Sequence, residues 1–421
     1  MIIKSFYVKV INHLNKKIIV PKQINQIYEQ IFSRIDSAEA SNLVQDMVKI
    51  QSVNPPGNET AIANYLEKKM KEIGLDVHLD ECLPGRSNVI GRLKGAVGYP
   101  TLMLNGHLDV VPPGDKDLWS FDPFGGFGIN GRIYGRGSAD MKSGLASMLL
   151  AAKALKLSEI QLKGDLILTG VIDEEVMGRG AKELSPRGTF ADMAIVAEPT
   201  ELIPIRAHKG LVIFEISTIG KAIHSSRVSS KGDKGEVNAI YQMCKVLTKI
   251  QEHLINLENK VDTLVGNPTI SVGTITGGSK TNVVPNRCSI TVDRRLLPNE
   301  SVEDAKDEMK KILQQLSKED PQIRTELKII VSRRGAITNP DELIVCLSKE
   351  VAEEILEKDV EVTGSSATSD MEVFVNQDNT PTVLLGPGSL GMAHNTDEFV
   401  EVNQVVDAAK IFAIIALKAL G

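Results

Sequence analysis

Apolar positions recur at helical spacing from Ala38 to Ile50 and again from Glu59 to Ile73; Asn54-Pro55-Pro56-Gly57 stops the first stretch and Gly74 closes the second. Short apolar runs at Asp76–Leu79, Asn88–Leu93 and Thr101–Leu104 then read as strands. After them, the glycine-rich segment Gly125–Gly137 reads as a hairpin and tight loop, and Lys142–Leu155 as a helix apolar enough to be buried. Asp165–Ile172 and Met193–Ala197 are two more apolar strands. This alternation predicts an α/β domain whose largely parallel sheet, flanked by helices, collects ligands at the carboxyl ends of its strands.

From Gly210 the order changes to strand Leu211–Ile219, helix Val237–Leu257, strands Thr269–Ile275 and Cys288–Leu296, helix Val302–Leu316 and strand Glu326–Val331. That is the split β-α-β-β-α-β arrangement, a ferredoxin-like unit able to fold as an insert. The first type then returns: a helix from about Asp341 to Glu357, a loop at Gly364–Asp370, a short helix, the strand Thr382–Leu385 and a closing helix Val402–Leu420. The expected division is an amino-terminal extension over 1–37, a discontinuous domain over 38–207 and 333–421, and the insert over 208–332. In the extension, Pro21 separates Ile18-Ile19-Val20 from a helix through Ile24, Ile27, Ile31 and Ile35, an extra packing or oligomerising element.

A length of 421 residues exceeds what one core usually holds, which agrees with two domains. Net charge of -6 leaves no footprint for nucleic acid. No apolar run approaches the roughly 18 residues of a membrane span. Lys4, Lys9, Lys16, Lys17 and Lys22 break up any secretory signal core, so no export and a cytoplasmic location are expected. The four cysteines, Cys82, Cys244, Cys288 and Cys346, are far apart and read as small buried hydrophobes, not as a disulfide framework or thiolate metal site.

Candidate chemistry gathers at strand ends. His107 and Asp109 follow Thr101–Leu104 two residues apart, on one face of an extended chain, where a carboxylate can hold the second nitrogen of a metal-binding imidazole. By itself His-x-Asp is more often a loop histidine. Asp140 stands at a loop-to-helix junction, where the plainer role is a helix cap. Asp173-Glu174-Glu175 ends a buried strand, either as a solvated acidic loop or as carboxylates compensated by a cation. Glu198 ends the next strand, and His394 follows the last. Together these nitrogen and oxygen donors, without thiolate, suit two divalent ions sharing one carboxylate: zinc, or cobalt or manganese. One glutamate is left over as a general base.

Leu104-Asn-Gly-His-Leu-Asp109, Gly137-Ser-Ala-Asp-Met-Lys-Ser-Gly144, Asp173-Glu-Glu175, Glu198-Pro-Thr200 and His394 resemble, in order and spacing, the five metal-site motifs of one family. It is the acetylornithine deacetylase, succinyl-diaminopimelate desuccinylase, aminoacylase and glutamate carboxypeptidase family. The resemblance covers roughly residues 38–421 and implies a zinc-peptidase-like catalytic domain with a lid inserted. It implies that His107 and Glu198 bind one zinc, Glu175 and His394 the other, and that Asp140 bridges them. Glu174 becomes the base, Asp109 the clamp on His107, and Asp140-Met141 a cis peptide. In the lid, Gly220-Lys-Ala-Ile-His-Ser-Ser226 is similar to the segment whose histidine, here His224, stabilises an oxyanion, often across a homodimer formed by the lid domains. Thr281-Asn-Val-Val-Pro285 and Asp293-Arg-Arg-Leu-Leu-Pro298 match motifs in which Asn282 and Arg295 contact substrate; surface ion pairing is the alternative for Arg294 and Arg295. Where many relatives carry Arg two residues beyond the Gly364-loop aspartate, this chain has Glu372, which leaves room for a basic substrate group.

The expected function is hydrolysis of the amide of an N-acylated amino acid, with acetylornithine and succinyl-diaminopimelate leading, as in amino-acid biosynthesis. A dipeptidase or carboxypeptidase acting on short peptides is the nearest rival, and a catalytically silent binding relative a more distant one.

Overall fold

The computed structural model describes residues 21–228 and 237–421. Ile18-Ile19-Val20 and the lysines before it, on which the sequence reading drew, lie outside the described residues. Two compact units make up the chain. The first runs through Arg206 and resumes at Thr338–Thr363 and Ser369–Gly421; the second is Ala207–Ile337 with Gly364–Thr368.

The strands, in chain order, are β1 (Asp76–Leu83), β2 (Arg86–Leu93), β3 (Thr101–His107), β4 (Phe127–Ile129), β5 (Arg132–Tyr134), β6 (Asp165–Val171), β7 (Met193–Val196) and β8 (Ile205–His208). They continue with β9 (Gly210–Ile219), β10 (Thr269–Gly277), β11 (Arg287–Leu296), β12 (Thr325–Arg333), β13 (Ala336–Ile337), β14 (Thr363–Ser365), β15 (Thr382–Leu384) and β16 (Phe399–Glu401).

In the first unit the main sheet runs β1-β2-β6-β3-β7-β15-β8. Its centre, β6, β3, β7 and β15, is parallel, and β2 and β1 close one side antiparallel. Every residue of β6 (Asp-Leu-Ile-Leu-Thr-Gly-Val) is buried, as a parallel strand covered on both faces requires. Helix Ser143–Leu157 is buried almost all round, and its leucines and alanines share a core with the closing helix Val402–Leu420. The amino-terminal helix Pro21–Phe32 is a packing element: Ile31 is buried in that core, and Gln30 Nε2 donates to the Ser158 carbonyl at 2.9 Å. The helix stops before Ile35. Asn130 and Gly131, at φ 52° and 76°, form the two-residue left-handed turn that joins β4 to β5, and β16 pairs with β5 to complete a small three-stranded sheet.

The second unit is an antiparallel sheet in the order β10-β11-β9-β12, covered by helices Ala239–Leu257 and Val302–Glu319. Alternating burial along β11 turns Cys288, Ile290, Val292 and Leu296 toward the helices. Asn238 caps the first helix, and Ser301 with Asp304 forms a reciprocal capping box on the second. The α/β class with an inserted β-α-β-β-α-β unit is therefore the observed one.

The four cysteines are not all buried. Cys288 is buried and Cys82 partly so, but Cys244 and Cys346 are exposed. Cys244 adjoins Met243 on a helix whose inward face is Met243, Val246 and Ile250, so its own position turns outward. No helix among the described residues is long and apolar enough to cross a membrane.

Candidate active site

Parallel pairing of β6, β3 and β7 sets Asn105 against Val196 and His107 against Val171, so these strands end at one edge of the sheet. His107 is the last residue of β3, Asp173-Glu174-Glu175 follows β6, and Glu198 lies two residues beyond β7. Asp140 arrives on the tight turn Ser138–Lys142 that enters helix Ser143–Leu157. It is not the helix cap: its backbone (φ -115°, ψ 96°) is non-helical, and the helix begins three residues later. The Asp140–Met141 peptide bond is cis. His394, at φ 64°, comes from the turns between β15 and β16.

Asp140 is the centre of the cluster. Its Oδ1 lies 3.0 Å from His107 Nε2 and its Oδ2 3.3 Å from His394 Nε2, while Glu175 Oε2 lies 3.1 Å from the same His394 nitrogen. Donor atoms of His107, Asp140 and Glu198 fall within 4.8 Å of one another, and so do those of Asp140, Glu175 and His394. Two three-residue groups thus share one carboxylate. Nor is the acidic turn solvated: Asp173 and Glu174 are 2% and 7% exposed.

The electrostatics fit a cation site. Burial, then the Asp140 charge, pushes Glu175 up to about 7, and the same two causes raise Glu198 well above the carboxylate range. Among the described residues, Glu175 Oε1 is buried without a hydrogen-bond partner. Burial also presses Asp140 upward, yet its hydrogen bonds to the two imidazoles hold it below its usual value. In return, Asp140 and Glu175 lift His394 to about 10, and Asp140 raises His107 against its own burial. Carboxylates so placed, with imidazoles and no thiol, are the hard and borderline donors that divalent zinc, cobalt or manganese take.

Asp109 departs from the expected clamp. His107 Nδ1 bonds the main-chain carbonyl of Asp109 at 2.9 Å, whereas the carboxylate Oδ1 stands 3.9 Å away. Because β3 ends at His107, the two-residue alternation that put both side chains on one face no longer holds at Asp109.

Two residues that hold the site escaped the sequence reading. Glu398 Oε1 accepts the backbone N–H groups of Ala139 and Asp140 at 2.9 and 3.0 Å, and Oε2 pairs with Arg136 Nη1 at 2.5 Å. Arg136 Nη2 in turn donates to the His394 carbonyl at 3.2 Å. This buried pair ties the Asp140 turn to the His394 turn. Arg136 immediately precedes the Gly137–Gly144 motif and Glu398 follows His394 in the same segment, but nothing local says that they meet.

The remaining expected residues lie in the second unit. His224 is exposed and caps a short 3₁₀ turn, with Nδ1 2.8 Å from Ser226 Oγ; Asn282 adjoins it, its carbonyl accepting the Ser225 N–H at 3.0 Å. Arg295 pairs along its strand with Asp293 at 2.9 and 3.1 Å. Arg294 is no surface ion pair: it is 2% exposed and bonds Glu300 and Glu308.

Known proteins share this architecture. The chain is 28% identical over 396 residues to N-formyl-4-amino-5-aminomethyl-2-methylpyrimidine deformylase of Bacillus subtilis (strain 168), covering 89% of this chain and 92% of that protein. It is 28% identical over 410 residues to a probable succinyl-diaminopimelate desuccinylase of Staphylococcus aureus (strain MSSA476), covering 91% and 98%. The fold is also that of human carnosine dipeptidase 1, with a TM-score of 0.76 at 17% identity over 94% of this chain and 99% of that one. The model of Peptidase family M20/M25/M40 matches residues 103–418, most of the sequence, and the chain belongs to that family.

Proposed function

We propose that this M20-family hydrolase uses two divalent ions, most readily zinc, to cleave the amide of a small N-acylated amine into a carboxylic acid and a free amine. The observation that carries this is one carboxylate, Asp140, shared by two groups of candidate ligands. His107 and Glu198 would hold one ion and Glu175 and His394 the other, with Asp140 shared between the two groups. When bound, the ions supply Lewis acidity, drawing electron density from the carbonyl and making water a nucleophile near neutral pH.

Glu174 supplies the base. It sits in the same buried turn as Glu175, and its charge acts on His107, Glu175 and Glu198. It takes a proton from the attacking water and delivers it to the departing nitrogen, so the amine leaves neutral. In the second unit, His224 stabilises the oxyanion and Asn282 and Arg295 orient the substrate. A homodimer through that unit belongs to this reading, supported by β10, an edge strand with Ile275 56% exposed.

N-acylated amino acids such as acetylornithine and succinyl-diaminopimelate are the leading substrates. A second reading, an N-formyl amine bearing a basic heterocycle, is favoured by Glu372. That acid is buried in the first turn of helix Met371–Gln377, two residues beyond Asp370, whose charge bears on Glu198. The deformylase resemblance supports the same choice.

The test is a panel of both N-acyl classes and dipeptides with the zinc, cobalt and manganese forms. Turnover of dipeptides alone would remove the deacylase reading. Glu174→Gln should retain both ions and lose about 10²–10⁴ in kcat; unchanged turnover would strip Glu174 of its role.

A further inference from the structure

Asp109 is fully buried, and its carboxylate is occupied away from the imidazole. Oδ1 accepts the backbone N–H of Glu174 at 3.1 Å, and Oδ2 that of Glu175, also at 3.1 Å. Oδ2 further accepts Asn54 Nδ2 at 2.8 Å. At 3.9 Å the carboxylate is beyond hydrogen-bond reach of His107 Nδ1, which already has the Asp109 carbonyl.

Asn54 extends the same grip. It is 3% exposed, and its amide nitrogen also bonds Asp173 Oδ1 at 3.0 Å, so one side chain links Asp109 to the first residue of the acidic turn. Arg86 bonds that same Asp173 oxygen at 3.2 Å and is itself paired with buried Glu59. Asp173 sits at φ 68°, a left-handed conformation uncommon outside glycine that Asp adopts more readily than most residues. Two consecutive N–H groups on one carboxylate fix the peptide planes that carry Glu174 and Glu175.

We infer that Asp109 and Asn54 are positioning residues for the Asp173-Glu174-Glu175 turn, aiming the Glu174 base and the Glu175 ligand. This rests on the two-metal reading above. An amide at 109 has one acceptor oxygen for two backbone donors and turns an NH₂ toward one of them, so Asp109→Asn must release one end of the turn. Asn54 touches neither imidazole, yet its loss should act in the same direction.

The experiment is stepwise cobalt(II) titration of the metal-stripped full chain, followed by absorbance and calorimetry. His107→Ala identifies the binding step that belongs to His107, Asp140 and Glu198; His394→Ala identifies the step that belongs to Asp140, Glu175 and His394. Asp109→Asn and Asn54→Ala should each weaken the His394 step by about 10–100-fold and leave the His107 step nearly unchanged. With zinc restored, both variants should lower kcat more than they raise KM. If Asp109→Asn instead weakens the His107 step, or if neither step moves, the inference is overturned. Should Asp109→Asn fail to fold, Asn54→Ala decides alone: a weakened His394 step supports the inference, and an unaltered one overturns it. A wild-type chain that takes up fewer than two ions would refute the two-metal reading itself, a result visible before any variant is compared.

Discussion

Each unit buries a cluster of charge, and the two are balanced differently. In the second, Arg294 bonds Glu300 and Glu308, Lys260 reaches both acids, and His253 stands 3.5 Å from Glu308. The His253 contact, helped by Lys260 and Arg294, brings Glu308 down to about 2, and Glu300 is lowered despite its burial. In the first, Asp140, Glu174, Glu175 and Glu198 outnumber the two imidazoles beside them, and Glu175 and Glu198 are driven upward. A balanced cluster holds a fold in register. An acidic one destabilises the fold unless a cation arrives, so the imbalance itself is the mark of a site.

Removing that cation gives the largest contrast. Chelation should abolish turnover, with zinc restoring it, and should lower the unfolding midpoint of the chain; saturating an ion at 100 times its dissociation constant is worth about 2.7 kcal/mol. Arg294→Met should also destabilise, by about 3–5 kcal/mol because Glu300 and Glu308 lose their buried partner, but metal content should stay that of the wild type. Denaturant melts and elemental analysis check both.

Next comes pH. Burial pushes His208 down from 6.5 to about 4, so between these values the unfolded chain binds the extra proton. The contribution is complete above pH 6.5 and is lost as pH falls toward 4, at up to about 1.4 kcal/mol per pH unit. Urea melts at pH 5 and pH 7 should show this slope, and His208→Leu should flatten it. The smallest effect sharpens the comparison most: Glu198→Gln should stabilise the metal-free chain by about 1 kcal/mol while weakening metal uptake. The equivalent change in the balanced cluster, Glu308→Gln, should only destabilise. Thermal melts with and without zinc separate the two signs.

Much of this was legible from local pattern. β6 could be read from its unbroken apolar run and β11 from its alternation, because both follow from how many faces of a strand are covered. The exposure of Cys244 and Cys346 was not, since burial depends on what packs against a helix face. Asp109 shows the limit most plainly. Two-residue spacing predicts a shared face only while the chain is a strand, and β3 stops two residues too early.

What the sequence determined by itself is the set of chemical groups, their order, and their places at strand ends, since these follow from periodicity and residue type. Only the tertiary structure decided who holds whom. Asn54 reaches Asp109 and Asp173, and Glu398 reaches the Asp140 turn, across 55, 119 and 258 residues of chain. Such bonds form because buried polar groups must find partners wherever the fold leaves them, and no local pattern records which partner is near.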